Sequence, residues 1–302
     1  MKILVAMSGG IDSSVVAHLL HEQGHELIGV RFTLWTDPLA PAIYDVLPTK
    51  CCTTQNIARA DAVAKKLKIP LRIVSLDDEF KRTVVDPYLK AHERGLTPNP
   101  CIGCNRTIKF GKLLTLMREL GCDRLATGHY ARIEHIIDTS GRSSNRLLEA
   151  TDRRKDQSYY LYGLTDEQLE CVLFPLGSLK KTEVYALAER YGVPLPSSYR
   201  ESQDLCFFPG KKPSAFLARH LPKESLRPGC ITTVDGRTVG THRGLPHYTL
   251  GQRHGLGIGG LKIPLHVIRK DIDHNTLIVA EKGSVMIPSV DIHEAYFRKD
   301  LV

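Results

Sequence analysis

The sequence predicts an α/β fold: an amino-terminal domain built on a parallel sheet with helices on both faces, followed by a small β-rich domain. Three observations carry this. Strand-length apolar runs alternate with amphipathic helical segments as far as Tyr191, the βαβα rhythm of a sheet buried on both faces. A strand, a glycine turn and a helix start are compressed into residues 3–20. From about Pro209 the texture changes, and prolines and glycines separate short strands.

In chain order, residues 2–7 read as a buried strand, 13–23 as a helix ended by Gly24, and 26–32 as a second strand. A loop over 35–50 carries Pro38, Pro41 and Pro48. Thr53 or Thr54 caps a helix whose apolar face is Ile57, Ala60, Val63, Ala64 and Leu67, and which stops before Pro70. Residues 71–76 are a strand, 108–120 a helix and 124–127 a strand with Gly128-His129-Tyr130 at its carboxyl end. Residues 132–137 and 146–150 flank a glycine-containing loop as a hairpin, and helices follow at 166–173 and 181–191. Short strands are expected around 230–233, 238–240, 264–269 and 276–280, with Asp235-Gly236 as a hairpin turn. The expected division is 1–208 and 209–280, with a short tail from 281 to 302.

At 302 residues, 42% apolar and 25% charged, the composition is that of a soluble globular protein with a substantial core. No apolar run reaches the length of a membrane span. Met1-Lys2 leads straight into the first strand with no leader pattern, so the expected compartment is the cytoplasm and no membrane partner is expected. The net charge of +8 fits contact with nucleic acid, and equally fits a solvated basic surface.

Residues 8–13 read Ser-Gly-Gly-Ile-Asp-Ser between the strand and the helix. Glycines let the backbone approach an anion, and the first helical turn turns unpaired N–H groups and a positive dipole end toward it. No lysine follows the glycines as a Walker loop requires, and no Gly-x-Gly-x-x-Gly is present for a dinucleotide. Ligands of such folds bind beyond the carboxyl ends of the strands, where this loop and Gly128 both fall.

Eight cysteines stand at 51, 52, 101, 104, 122, 171, 206 and 230. Cys122 and Cys171 lie in amphipathic stretches and read as buried filler. Cys101-Ile102-Gly103-Cys104 follows Leu96-Thr97-Pro98-Asn99-Pro100, whose prolines predict an exposed, shaped loop. Two thiols on such a loop point to reactivity or metal binding.

The Ser8-to-Ser13 segment resembles the pyrophosphate loop of the N-type ATP pyrophosphatases, the PP-loop enzymes with an adenine nucleotide α-hydrolase-like, Rossmann-like domain. Beside it stand the segment 97–106, Ile108-Lys109-Phe110, Ala126-Thr127-Gly128-His129-Tyr130-Ala131-Arg132, Lys155-Asp156-Gln157-Ser158-Tyr159, Ser202-Gln203-Asp204-Leu205-Cys206-Phe207 and Tyr248-Thr249-Leu250-Gly251-Gln252-Arg253. In this order, from residue 1 to about 280, the chain resembles the tRNA-specific 2-thiouridylases. These use ATP to replace the 2-oxo group of the wobble uridine of certain tRNAs with sulfur.

The resemblance implies that Ala6, Met7, Ser8, Gly9, Gly10, Ile11, Asp12 and Ser13 form the ATP loop. Phe32, where the family more often has methionine, would contact the adenine, and Gly128 would lie near the nucleotide. It implies Cys104 as the nucleophile and Cys206 as the persulfide carrier, the two ending as a disulfide that a reductant reopens. Asn99, Pro100 and Cys101 match the segment facing the target base, and Lys155, Asp156 and Gln157 a tRNA-contacting stretch. ATP and Mg²⁺ are the implied cofactors. The implied partners are lysine, glutamate or glutamine tRNA, and a cysteine desulfurase or sulfur-relay protein as donor. Arg106 and Lys109, near Cys104 in sequence, are candidates to favour its thiolate.

Other readings of the same residues stay open. Cys101, Cys104 and Cys206 are enough to hold three irons of a [4Fe–4S] cluster that binds sulfide, and Cys51-Cys52 would be needed to complete a zinc site. Another PP-loop enzyme, such as a 4-thiouridine synthase or amide-forming ligase, or a non-catalytic tRNA-binding protein, is the alternative function. Arg153-Arg154-Lys155 and the basic stretch 242–254 suit phosphate contact. Two departures bear on the site. Arg59-Ala60-Asp61 stands where the family more often reads Asp-Ala-Arg, which predicts a reversed or rewired ion pair. Family members also continue into a C-terminal β-barrel, of which 281–302 would be the start or a remnant.

Overall fold

The computed structural model describes residues 1–41, 54–137, 141, 143–194, 205–208, 213–259, 263–281 and 283. The chain divides into two compact units, Met1–Val85 with Pro100–Lys211, and Asp86–Asn99 with Lys212–Val302. The segment that interrupts the first unit in sequence thus groups with the second.

The first unit begins with β1 (Lys2–Ala6), α1 (Ile11–Glu22), β2 (Glu26–Thr33), α2 (Thr54–Leu67) and β3 (Leu71–Ser75). A short helix α3 (Asp77–Phe80) and a π-helical turn over Lys81–Val85 precede α4 (Asp86–Glu93), which belongs to the second unit. Then follow α5 (Pro100–Cys104), a π-helical stretch (Asn105–Lys112), α6 (Leu113–Glu119), β4 (Arg124–Ala126), the hairpin β5 (Arg132–Ile137) and β6 (Ser143–Leu148), α7 (Ser158–Leu161), α8 (Asp166–Cys171), β7 (Val172–Leu173) and α9 (Lys181–Arg190). The sheet order is β3-β2-β1-β4-β7, parallel throughout.

Alternation along β1 explains why helices cover both faces. Ile3 and Val5 point to one side, where Val15, Val16 and Leu20 of α1, Ala60 and Val63 of α2, and Val184 and Ala188 of α9 pack. Leu4 points to the other, against Phe110, Leu113, Met117 and Leu125. Central β1 lies between two cores, so its run is apolar without a break.

Three expectations are corrected. The segment after Pro98 is not a loop: Pro100 opens helix α5, because a proline at the first helical position loses no hydrogen bond and carries a helical φ. The helix expected over 108–120 starts earlier and runs as a π-helical stretch to Lys112 before α6. The helix expected over 166–173 ends at Cys171, since Val172 and Leu173 pair as an edge strand with Leu125 and Ala126. Its start is firm, for Thr165 and Gln168 form a reciprocal capping box.

The second unit contains α4, α10 (Ser214–His220), a 3₁₀ turn over Lys223–Leu226, β8 (Gly229–Thr233), β9 (Thr238–His242), β10 (Leu265–Asp271) and β11 (Thr276–Glu281). Its sheet runs β10-β11-β8-β9. Ile231, Leu245, Tyr248, Val267, Leu277 and Val279 fill its core. The Asp235-Gly236 turn is formed as expected, with Gly236 at φ +86°.

Candidate active site

The loop after β1 is shaped by contacts that tolerate only glycine at its tip. Gly9 has φ +77°, and a Cβ there would lie 1.9 Å from the carbonyl oxygen of Asn56. The buried Arg59 donates from Nη1 to the Gly9 carbonyl at 2.5 Å and to Asn56 Oδ1 at 2.8 Å, and from Nε to the Pro194 carbonyl at 2.8 Å. The arginine expected to form a reversed or rewired ion pair braces the loop through carbonyl groups. Ser13 and Ser14 hydroxyls donate to the Gly10 carbonyl at 3.1 and 2.9 Å, and Gly10 N–H donates to Ser8 Oγ at 3.3 Å. The result is a stiff turn at the amino end of α1, suited to an anion.

Asp12 ties this turn to two other elements. Its Oδ1 accepts from Lys181 Nζ at 2.6 Å and from the Tyr130 hydroxyl at 2.8 Å. The Lys181 side chain is only 8% exposed, and its ammonium lies 5.4 Å from the Tyr130 ring centre and 5.2 Å from that of Tyr185. Gly128 approaches so closely that a Cβ would sit 3.0 Å from Asp12 Cβ and Ser13 N. Lys181 escapes motif reading because it is far from the loop in sequence. One signal was present: a lysine at the first position of a helix opposes the helix dipole and calls for another purpose.

The main-chain N–H of Lys181 donates to Asp152 Oδ2 at 3.1 Å, and this bond holds the Asp152 carboxyl below its ordinary range. Gln157 exchanges two bonds with Tyr130, donating from its N–H to the carbonyl at 2.8 Å and accepting from the Tyr130 N–H on Oε1 at 3.1 Å. Asp156 accepts from Ala150 N–H at 2.8 Å and from the Ser158 hydroxyl at 2.6 Å. Asp156 and Gln157 therefore build the 152–158 loop from within, whereas Arg153 and Arg154 extend outward, 86% and 89% exposed.

Phe32 stands near the carboxyl end of β2 and packs partly buried on the core beside Val30 and Leu4. At the end of β4, His129 Nδ1 bonds the Thr127 hydroxyl at 2.8 Å. Desolvation, then the nearby Lys109 cation, push the His129 pKa down to about 3. Arg106 runs beside Gly163.

Cys101 and Cys104, three residues apart, share one side of α5. Cys104 is buried and Cys101 half-buried. Helix α5 packs on the Lys81–Val85 turn and on α7. Cys206 is half-buried on a short turn whose next residues, Phe207 and Phe208, are buried anchors. Phe207 meets Phe80 edge to face with ring centres 6.0 Å apart, and Phe80 leads directly into the turn that supports α5. Phe80 thus links the turn that carries Cys206 to the turn on which α5 packs. Of the segment expected to face the base, Pro100 and Cys101 belong to this unit and Asn99 to the second.

Among the described residues no group of three or more His, Cys, Asp or Glu side chains converges as metal ligands. Cys101, Cys104 and Cys206 are all among the described residues and are not in such a group. Cys51 and Cys52 lie outside the described residues. Among the described residues no helix is long and apolar enough to cross a membrane.

Residues 1–210 match the family model described as tRNA methyl transferase HUP domain, and residues 214–281 that of the tRNA methyl transferase PRC-barrel domain. The chain is 43% identical over 282 residues to a tRNA-specific 2-thiouridylase MnmA of Symbiobacterium thermophilum, covering 93% of this chain and 70% of that protein. It is 44% identical over 284 residues to MnmA 1 of Caldanaerobacter subterraneus, covering 94% and 76%. The chain belongs to the tRNA-specific 2-thiouridylase family. Membership gives the braced loop and the paired cysteine segments a common context. The glycine turn and the cysteines at 101, 104 and 206 all fall in the first unit.

Proposed function

We propose that this chain uses ATP to convert the wobble uridine of tRNA to 2-thiouridine, with sulfur carried on Cys206. The observation that carries the reading is the glycine turn braced by Arg59 and tied through Asp12 to Lys181 and Tyr130, in the same unit as Cys104 and Cys206. A pyrimidine oxygen is a poor leaving group, and adenylation cures this. The O2 atom attacks the α-phosphate of ATP and pyrophosphate departs. The terminal sulfur of a Cys206 persulfide then attacks C2 and expels AMP, leaving a C2–S–S–Cys206 linkage. Cys104 thiolate attacks the Cys206 sulfur, releases the thiolated base and leaves a Cys104–Cys206 disulfide for an external thiol to reduce.

In this scheme the turn of residues 8–13 holds the phosphates. Asp12 would hold Mg²⁺, since a single carboxylate beside phosphate oxygens suits an ion that keeps several waters; Mg²⁺ supplies charge neutralisation. Lys181, held on Asp12, adds positive charge where pyrophosphate leaves. Phe32 would face the adenine and Lys155 the tRNA, and the same reading makes this a cytoplasmic enzyme served by a desulfurase or relay protein.

The test is incubation with unmodified lysine, glutamate or glutamine tRNA, ATP, Mg²⁺ and a persulfide donor, followed by nucleoside mass spectrometry. Uridine with sulfur at C2, formed only with ATP, is the expected product. Its absence beside an active family member would sink the reading.

A further inference from the structure

We propose that Tyr159, Tyr160 and Tyr162 form a stacking platform for the unpaired nucleotides that flank the target base, which rests on the thiolation reading and names the RNA-facing surface of that same site. Three aromatic side chains within four residues remain in solvent, exposed by 63%, 38% and 61%. Their neighbours Leu161 and Leu164 take the inward positions and are buried in the core with Phe110 and Leu169. A single helical turn has one inward side, and here leucine occupies it. The tyrosines are therefore left as a cluster, which marks a contact surface more than scattered exposure does.

The cluster has the geometry and the surroundings for single-stranded RNA. Tyr159 and Tyr160 ring centres are 5.4 Å apart at 79°, and Tyr159 and Tyr162 are 6.3 Å apart at 48°. Neither pair stacks face to face, and all three rings keep much of their surface in solvent. The platform is mounted beside the nucleophile: Asn105, next to Cys104, donates from Nδ2 to the Tyr160 carbonyl at 3.0 Å, and α5 packs on α7. Cations lie close to it along the chain. Arg153 and Arg154, paired with Glu149 and Asp152 at 3.4 and 3.6 Å, extend from the preceding loop, and the exposed Arg106 runs beside Gly163, which follows Tyr162. Exposed aromatic rings with cations nearby fit bases and phosphates of a splayed loop.

The test uses the full chain and an anticodon stem-loop carrying 2-aminopurine beside the target uridine. Binding to the wild type is expected to quench the fluorophore by stacking. Tyr159→Ala/Tyr162→Ala should lose the quenching and raise the KM for tRNA by about 5- to 100-fold, with ATP affinity and thermal midpoint unchanged. Tyr159→Phe/Tyr162→Phe should behave as wild type, since phenylalanine keeps the ring face. An alanine variant that quenches fully and keeps its KM overturns the platform. So does one impaired only with a protein persulfide donor and normal with a small-molecule persulfide, because the surface then docks the donor. If the wild type makes no 2-thiouridine and binds no stem-loop, the thiolation reading falls and takes the platform with it.

Discussion

Lys181 Nζ lies 2.6 Å from Asp12 Oδ1, a nearly buried cation on the one carboxylate of the glycine turn. The pair joins the start of α9 to the start of α1, and the Tyr130 hydroxyl completes it from the end of β4. Three chain segments far apart in sequence thus meet at one oxygen atom. Such an arrangement fixes a charged pair at the glycine turn, where the proposed function places the phosphates of ATP.

Lys181→Met is expected to cut tRNA-dependent pyrophosphate release by about 10²- to 10³-fold, the scale of losing one preorganised charge. The loss should fall mainly on kcat, and Lys181→Arg should recover part of it. Equal rates for wild type and the methionine variant would remove Lys181 from the reaction.

Gly9→Ala should abolish ATP binding, because its Cβ would meet the Asn56 carbonyl at 1.9 Å and its φ is +77°. Gly24 has a similar φ of +79° with open space around it. Gly24→Ala should therefore cost only about 1 kcal/mol of stability and leave ATP binding intact. Calorimetric ATP titration together with thermal unfolding separates the two.

Cys206→Ser should stop thiolation and AMP release and retain tRNA-dependent release of pyrophosphate, because adenylation precedes sulfur transfer. Cys104→Ser should trap tRNA covalently on Cys206 through the disulfide linkage to C2, a species that dithiothreitol releases. A gel shift on non-reducing electrophoresis reads it directly.

Stability should fall in acid through His92. Burial, then the Lys270 and His247 charges, push its pKa down to about 4, so it stays neutral in the folded second unit. The unfolded chain binds the proton already near pH 6.5. The neutral form's stabilisation is therefore complete above pH 6.5 and is lost at about 1.4 kcal/mol per pH unit as pH falls toward 4. His129 acts in the same direction in the first unit, down to about pH 3. Urea unfolding at pH 7.5, 6 and 5 measures the slope, and His92→Gln should flatten it.

Much of the fold was legible because it rests on local signals. The alternation of apolar runs set out the parallel strands, and Gly24 and Pro70 marked helix ends. Local patterning misled where partners intervened. Pro98 and Pro100 suggested a loop, but Pro100 at the first helical position favours a helix that carries Cys104 into the interior. Val172 and Leu173 were taken from a helix by the free edge of β4.

For the candidate site, the sequence by itself determined its chemistry: the glycine turn of residues 8–13, the thiols at 101, 104 and 206, and the cations of residues 153–155 are written in short motifs. Tertiary structure alone decided which groups meet. Arg59 braces Gly9, Lys181 reaches Asp12, and Asp156 and Gln157 turn inward while three tyrosines turn out. The physical reason is that motif types reflect what a side chain can do, whereas the partner of a buried charge or an open ring depends on chain segments as much as 169 residues apart brought together by the packing of the core.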